Sequence, residues 1–349
     1  MGPKLTRVRA RGEEIRQFIL DQVEGHPTDI AKLAAVKFGV SRQAIGKHLQ
    51  KLRAEGCLKE EGQTRSRTYQ LVPLSEWRSQ FEISPALKDD IVWTNDIRPA
   101  LGALPDNVMN IWQTVFTEMF NNAIEHSGGR HIMVGLHRTA TSTTMDVADD
   151  GVGIFAKIRA AMSLPDEHHA VLELAKGKLT TDPKNHSGEG IFFSSRMVDF
   201  FVILSGEVFF SHQFGQAEDF VLESGRHEKG TLVSMKLSNH SSRTAKQIYD
   251  QYTSGDDFGF HKTVVPVTLA RYGSDSLVSR SQAKRVLARV EQFKVVVFDF
   301  AGVDTIGQAF ADELFRVFPQ QHPEIQFLTM NTSPAVESMI AHAKANSAA

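Results

Sequence analysis

A chain of 349 residues exceeds one ordinary hydrophobic core, so two or three domains are expected. Hydrophobic residues make up 41% and charged residues 23%, which excludes disordered and membrane classes; no apolar run approaches the ~20 residues of a bilayer span, and the charged start MGPKLTRVRARGEEIRQ lacks the apolar core of a signal peptide. A net charge of −2 conceals an asymmetry, because residues 1–72 hold 14 Lys and Arg against 8 Asp and Glu while the remainder holds 25 against 33, so one end suits a polyanion.

Residues 1–75 form the first expected domain. EEIRQFILDQVEG repeats Ile15, Phe18, Ile19 and Val23 at helical spacing and stops at Gly25. Thr28 is placed to cap DIAKLAAVKF. Gly39 turns the chain and Ser41 caps RQAIGKHLQKLRAEG, whose inward face is Ala44, Ile45, Leu49 and Leu52. CLKEEGQTRSRTYQLVPL then alternates like two strands around a polar tip. The turn FGVSRQAIGKHLQKLRAEG and the hairpin after it resemble the winged helix-turn-helix family of bacterial regulators over about 60 residues. That resemblance implies a second helix in the major groove of double-stranded DNA. Ser41, Arg42, Gln43 and Lys47 would face base edges, with Lys51, Arg65 and Arg67 at phosphates. It also implies a homodimer reading two half-sites. Cys57, the one cysteine, allows no internal disulfide and is expected to pack at the start of the hairpin under the reducing conditions of a cytoplasmic protein.

Leu74 to Ser84 is polar and ends in Ser-Pro, as a linker does. The second domain is expected over 84–240. In NVMNIWQTVFTEMFNNAIEHS, Val108, Ile111, Val115, Met119 and Ile124 give an apolar face, while Glu118 and Asn122 stand one turn apart on another. A carboxylate beside an amide oxygen suits a hydrated Mg2+ and a phosphate. TTMDVADDGVGIF is a strand running into Asp149-Asp150-Gly151-Val152-Gly153, and NHSGEGIFFSSRMVDFF sets Gly188 and Gly190 directly before a helix, an arrangement that cradles anions.

Glu118-x-x-x-Asn122, Asp149-x-Gly151-x-Gly153, Gly188-x-Gly190 and a closing Gly230-Thr231, in that order, resemble the boxes of the GHKL ATPase superfamily of gyrase B subunits, histidine kinases and anti-sigma serine kinases. The resemblance covers some 150 residues and implies an α/β sandwich with ATP between a mixed sheet and helices. Carried over by position, Asn122 would bind Mg2+, Asp149 the adenine amino group, Gly151 and Gly153 the base, Gly188 and Gly190 phosphate, and Thr231 would lie under the adenine. Glu118 would be the general base if hydrolysis or transfer occurs. Residues 154–187 would be the ATP lid, with Lys178, Lys184 and His186 within reach of phosphates. Two features depart from the kinase pattern: Glu189 inside SGEGIFF brings a negative charge near the phosphates, and no helical hairpin with a phosphoacceptor histidine precedes the domain.

The third domain is expected over 248–349 and alternates strand and helix: TVVPVTL, then SLVSRSQAKRVLARVEQ with Ser276 or Ser279 near its start, KVVVFDFAGV, GQAFADELFRVF, EIQFLTMNT and a last helix. VVVFDFAGVDTIGQAFADELFRVF resembles a STAS-like domain, the fold of anti-sigma antagonists. The serine that such antagonists carry is absent: Ile306-Gly307-Gln308-Ala309 stands there, with Thr305 the nearest hydroxyl. This implies docking of a protein partner rather than a phosphorylation switch.

The fold class expected is therefore multidomain α+β: a winged helix, a GHKL α/β sandwich and a STAS-like α/β domain. The function expected is a transcriptional regulator in which Mg-ATP controls DNA binding. The alternatives are an anti-sigma-type serine/threonine kinase acting on a STAS-domain partner, and a slow ATPase in phage defence.

Overall fold

The computed structural model describes residues 3–63, 66–179, 188–216, 219–253, 259–271 and 276–345 as a multidomain α/β protein, with three sheets among those residues. At the N terminus, α1 (Pro3–Gln22), α2 (Ile30–Phe38) and α3 (Arg42–Ala54) precede an antiparallel hairpin of β1 (Leu58–Glu61) and β2 (Thr68–Leu71). Ile19, Ile30, Ala34, Ile45 and Leu49 close a small core whose buried residues all come from this unit. The left-handed Gly39 (φ 62°) ends α2, and the Ser41 hydroxyl caps α3 by accepting from the Ala44 N–H at 3.2 Å. Thr28 is not the cap of α2. The cap position falls to Asp29, whose carboxylate lies 3.1 Å from the His26 ring instead of on the helix N–H groups.

The segment read as a linker is a strand. In β3 (Ser75–Glu82), Trp77 and Phe81 lean on the central core, and Phe81 meets Phe120 edge-on at 5.7 Å. β3 pairs antiparallel with β4 (His131–Arg138) along its whole length, so the central domain begins at residue 75 rather than 84. A bent helix follows, built of α4 (Asp89–Val92), a π turn (Trp93–Ile97) and α5 (Arg98–Leu101). Next come α6 (Asp106–His126), β4, β5 (Ser142–Asp149), α7 (Ile154–Met162), α8 (Glu167–Lys176), α9 (Gly190–Met197), β6 (Phe200–Gln213), β7 (Phe220–Ser238) and α10 (Ala245–Tyr252).

The five strands lie in the order β3-β4-β5-β7-β6, and every neighbouring pair is antiparallel. The mixed sheet expected above does not form. β5 and β6 run the same way, joined by helices, but β7 inserts between them, so they never share hydrogen bonds. On one face of the sheet, α6 buries Val108, Ile111, Trp112, Val115, Phe116, Met119 and Phe120.

The C-terminal domain alternates β8 (Lys262–Pro266), α11 (Arg280–Leu287), β9 (Val295–Asp299), α12 (Gln308–Asp312) continuing through a π turn into α13 (Phe318–Gln321), β10 (Gln326–Met330) and α14 (Pro334–Ala345). Its sheet is parallel, in the order β10-β9-β8, with β9 buried at the centre. Ser279 caps α11 in a reciprocal box with Gln282. The expected helix over 276–292 is shorter than its apolar spacing suggested, since Ala288 leaves the helical conformation and Arg289 adopts φ 61°. The central and C-terminal domains share one continuous core.

Candidate functional site

The last two turns of α6 open on a cavity of about 410 Å³ walled by the end of β5, by Thr231 and Val233 within β7, by α7 to α9 and by α10. Of the residues singled out in the sequence, Glu118, Asn122, Asp149, Gly153, Gly188, Gly190 and Thr231 line it. Four separate stretches of chain supply them. Ladder pairing sets Asp149 opposite Thr231, because β5 and β7 are neighbours in register. The Thr231 hydroxyl accepts from the Ile154 N–H at 2.9 Å and thereby anchors the start of α7.

Asp149 and Asp150 are adjacent in sequence, and their carboxyls are shifted in opposite directions. Asp150 Oδ1 accepts from the N–H groups of Arg130 (2.6 Å) and His131 (3.0 Å), and Oδ2 lies 2.9 Å from His131 Nδ1. These bonds hold its carboxyl far below the usual carboxylate range. Asp149 faces the cavity. Burial pushes its carboxyl up, and hydrogen bonds from Gly151 (2.9 Å) and Thr231 offset that only in part. A carboxylate so desolvated gains most from a donor brought by a ligand.

Among the described residues the Asn122 amide makes no hydrogen bond, although it lines the cavity. Glu118 reaches across to the first residue of α9, since a Cβ added at Gly190 would collide with its carboxylate. The first N–H groups of any helix have no partner within the helix, and its start carries positive dipole charge. Gly151 is different: its Cα rests against the Ser127 backbone, and it does not line the cavity. The glycine there permits a close chain crossing behind the wall, not contact with a base.

Three lining residues escaped the sequence reading. Lys157 donates to the His126 carbonyl at 2.7 Å, closing the end of α6, and burial lowers its pKa. Tyr249 of α10 is raised by burial and by the charges of Glu118 and Glu189. Glu189, noted in the sequence only as a departure, lines the cavity with its carboxyl raised by burial, which Lys178 and His261 counter. No motif marks Lys157 or Tyr249, and Lys157 sits with Arg159 in the otherwise apolar helix IFAKIRAAM.

The segment read as a lid divides. Ala170 to Lys176 of α8 are wholly buried, and the Lys178 ammonium donates to the Gln292 carbonyl at 3.0 Å and lies 5.0 Å from the Phe293 ring centre. Lys178 is thus spent on the C-terminal domain rather than on a ligand. Lys184 and His186 fall outside the described residues.

On α3, Arg42, Gln43, Lys47 and Lys51 are exposed, while Ile45, Leu49 and Leu52 are buried. Lys51 pairs with Glu55 at 3.6 Å and Arg67 with Glu60 at 2.9 Å, while Arg65 lies outside the described residues. Among the described residues no cluster of three or more His, Cys, Asp or Glu could hold a metal ion. A magnesium ion at Asn122 would therefore draw its other ligands from phosphate and water, as that ion commonly does. The cavity size lies within the roughly 300–1,000 Å³ usual for small-molecule sites.

Residues 282–337 match the STAS-like domain of unknown function DUF4325, a span running from α11 to the first turn of α14 and containing none of the cavity residues. No curated protein matches the chain. Among the described residues no helix is long and apolar enough to cross a membrane.

Proposed function

We propose that the chain is an ATP-responsive DNA-binding regulator, in which Mg-ATP in a GHKL-type central domain controls an N-terminal winged helix-turn-helix. The observation that carries this reading is the meeting, in one cavity, of an amide at Asn122 that makes no hydrogen bond among the described residues, a desolvated carboxylate at Asp149 beside Thr231, and the glycine turn at the start of α9. Each group lacks what a magnesium nucleotide brings. An exocyclic amine of the purine donates to Asp149, a magnesium ion takes the Asn122 oxygen, and phosphate oxygens accept from the N–H groups at Gly190.

The exposed Arg42, Gln43 and Lys47 on α3 support base contact, with Lys51 and Arg67 turning from their acidic neighbours to phosphates. Binding to two half-sites calls for a homodimer. The C-terminal domain is the surface for a protein partner. ATP alters DNA affinity only by its differential affinity for two conformers of the chain.

The test is fluorescence anisotropy on a labelled operator selected from random double-stranded DNA. The expected result is an affinity differing at least about fivefold between Mg-ATP and no nucleotide. Equal affinity with ATP, with ADP and without nucleotide would refute the reading.

Glu118 favours a second reading, hydrolysis of ATP or transfer of its γ-phosphoryl group to a serine or threonine hydroxyl of a STAS-domain partner with ADP leaving, because its carboxylate shares the cavity with the glycine turn. Under it, labelled ATP yields phosphate or phosphoprotein, and Glu118→Gln abolishes turnover while keeping nucleotide binding.

A further inference from the structure

We infer that the C-terminal domain is the built-in regulator of the cavity, clamping its glycine turn through Arg289 and Lys176; this rests on the nucleotide reading above. Lys176, the last residue of α8, is wholly buried between the two domains. Its ammonium donates to Glu173 Oε1 at 2.7 Å and to the carbonyls of Arg285 (2.9 Å) and Ala288 (2.8 Å) at the end of α11. The Arg285 carbonyl also accepts from the Ala288 N–H at 3.4 Å, and a cation at this helix end meets the negative end of the dipole. Arg289 bonds Glu173 Oε2 at 3.1 Å and the Lys178 carbonyl, and the Thr263 hydroxyl donates to the Lys176 carbonyl at 2.7 Å. All three lysine protons and both carboxylate oxygens are matched only with the domains docked. A directional buried network of this kind admits one register and resists sliding.

The clamp leads to the cavity in two steps. Arg289 holds the Lys178 carbonyl, and the next N–H, that of Leu179, donates to the Gly188 carbonyl at 3.1 Å. Leu174, Leu179 and Gly188 all line the cavity. A second contact is apolar: Phe260, just ahead of β8, lies 4.6 Å from Phe192 and 5.0 Å from Phe193, ring centre to ring centre, and both partners line the cavity. Arg289 and Lys176 touch no ligand; they are positioning residues. By linkage, whatever tightens the docked arrangement tightens ligand binding, and a partner that pulls on the C-terminal domain changes nucleotide affinity by the same factor.

The test uses the full chain, with Mg-ATP calorimetry and amide hydrogen exchange over 280–292 in the presence and absence of Mg-ATP. Arg289→Asn removes the guanidinium with a residue that tolerates the left-handed backbone, Arg289→Lys keeps a cationic donor, and Thr263→Val removes one bond without changing shape. We expect Mg-ATP to slow exchange in the wild type. Arg289→Asn should weaken nucleotide binding about fivefold or more and abolish that slowing, Arg289→Lys should restore most of the affinity, and Thr263→Val should act in the same direction but less. Wild-type affinity in Arg289→Asn, or exchange over 280–292 indifferent to Mg-ATP, would overturn the clamp while leaving the nucleotide reading intact. Absence of Mg-ATP binding by the wild type would overturn both. If Arg289→Asn does not fold, Thr263→Val decides: unchanged affinity and unchanged exchange overturn the clamp.

Discussion

The N-terminal unit keeps a core of its own and meets the rest of the chain through such contacts as the Glu24–Lys236 ion pair and Ala140, at the turn between β4 and β5. The C-terminal domain, by contrast, continues the central core without a break and adds the buried Glu173–Lys176–Arg289 network. Packed side chains transmit a change of arrangement, whereas a unit with a separate core follows its attachment points. Only residues 72–74 join β2 to β3, and the Leu74 N–H donates to the Arg138 carbonyl at 2.7 Å, so that attachment is short. Events in the cavity should therefore reach the C-terminal domain strongly and the N-terminal unit through a few contacts.

The largest effects should come from core truncations that break the contrast outright. Phe298→Ala, at a wholly buried position of β9, is expected to cost about 3–5 kcal/mol and to abolish nucleotide binding, because the shared core unfolds as one. Leu49→Ala should cost about 2–5 kcal/mol yet lower only a separate transition of the N-terminal unit, leaving nucleotide binding intact. Scanning calorimetry read beside nucleotide titration checks both, and a single joint transition in Leu49→Ala would erase the distinction.

Gly230→Ala comes next. At φ 80° a side chain is strained, and a Cβ there would collide with the Asp149 carbonyl. A cost on the order of 1–3 kcal/mol is expected, together with weaker nucleotide binding, since the acid moves. Retained affinity at a lowered melting temperature would show that Asp149 does not need that backbone position.

The two adjacent acids separate stability from binding by pH. The Asp150 carboxyl is depressed by its bonds, so its contribution to stability is present above the unfolded value near about pH 4 and is lost as pH falls below it. Asp150→Asn should reduce acid lability in that range. Asp149 is raised by burial, so the folded state favours its protonated form, and acidification through the raised value stabilises the fold while removing the acceptor. Nucleotide affinity should fall on acidification while the pH is still above the ordinary carboxylate range. An affinity profile unchanged by Asp149→Asn would contradict this.

Lys236→Ala should have the smallest effect. The Glu24–Lys236 pair is half-exposed, so stability should change by less than about 1 kcal/mol. The response of DNA affinity to Mg-ATP should nonetheless shrink, because one of the attachment points is gone. An unchanged response in the same anisotropy titration would exclude the pair from the route.

Periodicity carried much of this fold. The i, i+4 pair Glu118 and Asn122, the cap at Ser41 and the alternation of strand and helix after residue 260 were readable because each is a local pattern. The β3 strand was readable too, in the alternation of Trp77, Ser79 and Phe81, but its polar partners and the Ser-Pro that follows suggested a linker. Gly151 shows a real limit: a glycine box does not say whether the missing Cβ would face a ligand or another stretch of backbone. Glu173 and Lys176 show another, since an i, i+3 pair of opposite charges looks like a solvated helix face until a second domain covers it. Strand order was hidden for the same reason, because the insertion of β7 between β5 and β6 is a long-range event.

The most direct test of the account is calorimetric titration of Mg-ATP into the full-length chain, beside Asn122→Ala and Asp149→Ala. The account predicts one saturable site per chain in the wild type, weakened at least about a hundredfold in Asp149→Ala, where a recognising acid is lost, and dependent on magnesium only while Asn122 is present. A folded wild-type chain that takes up no Mg-ATP, or an Asp149→Ala variant that binds it as tightly as the wild type, would contradict it.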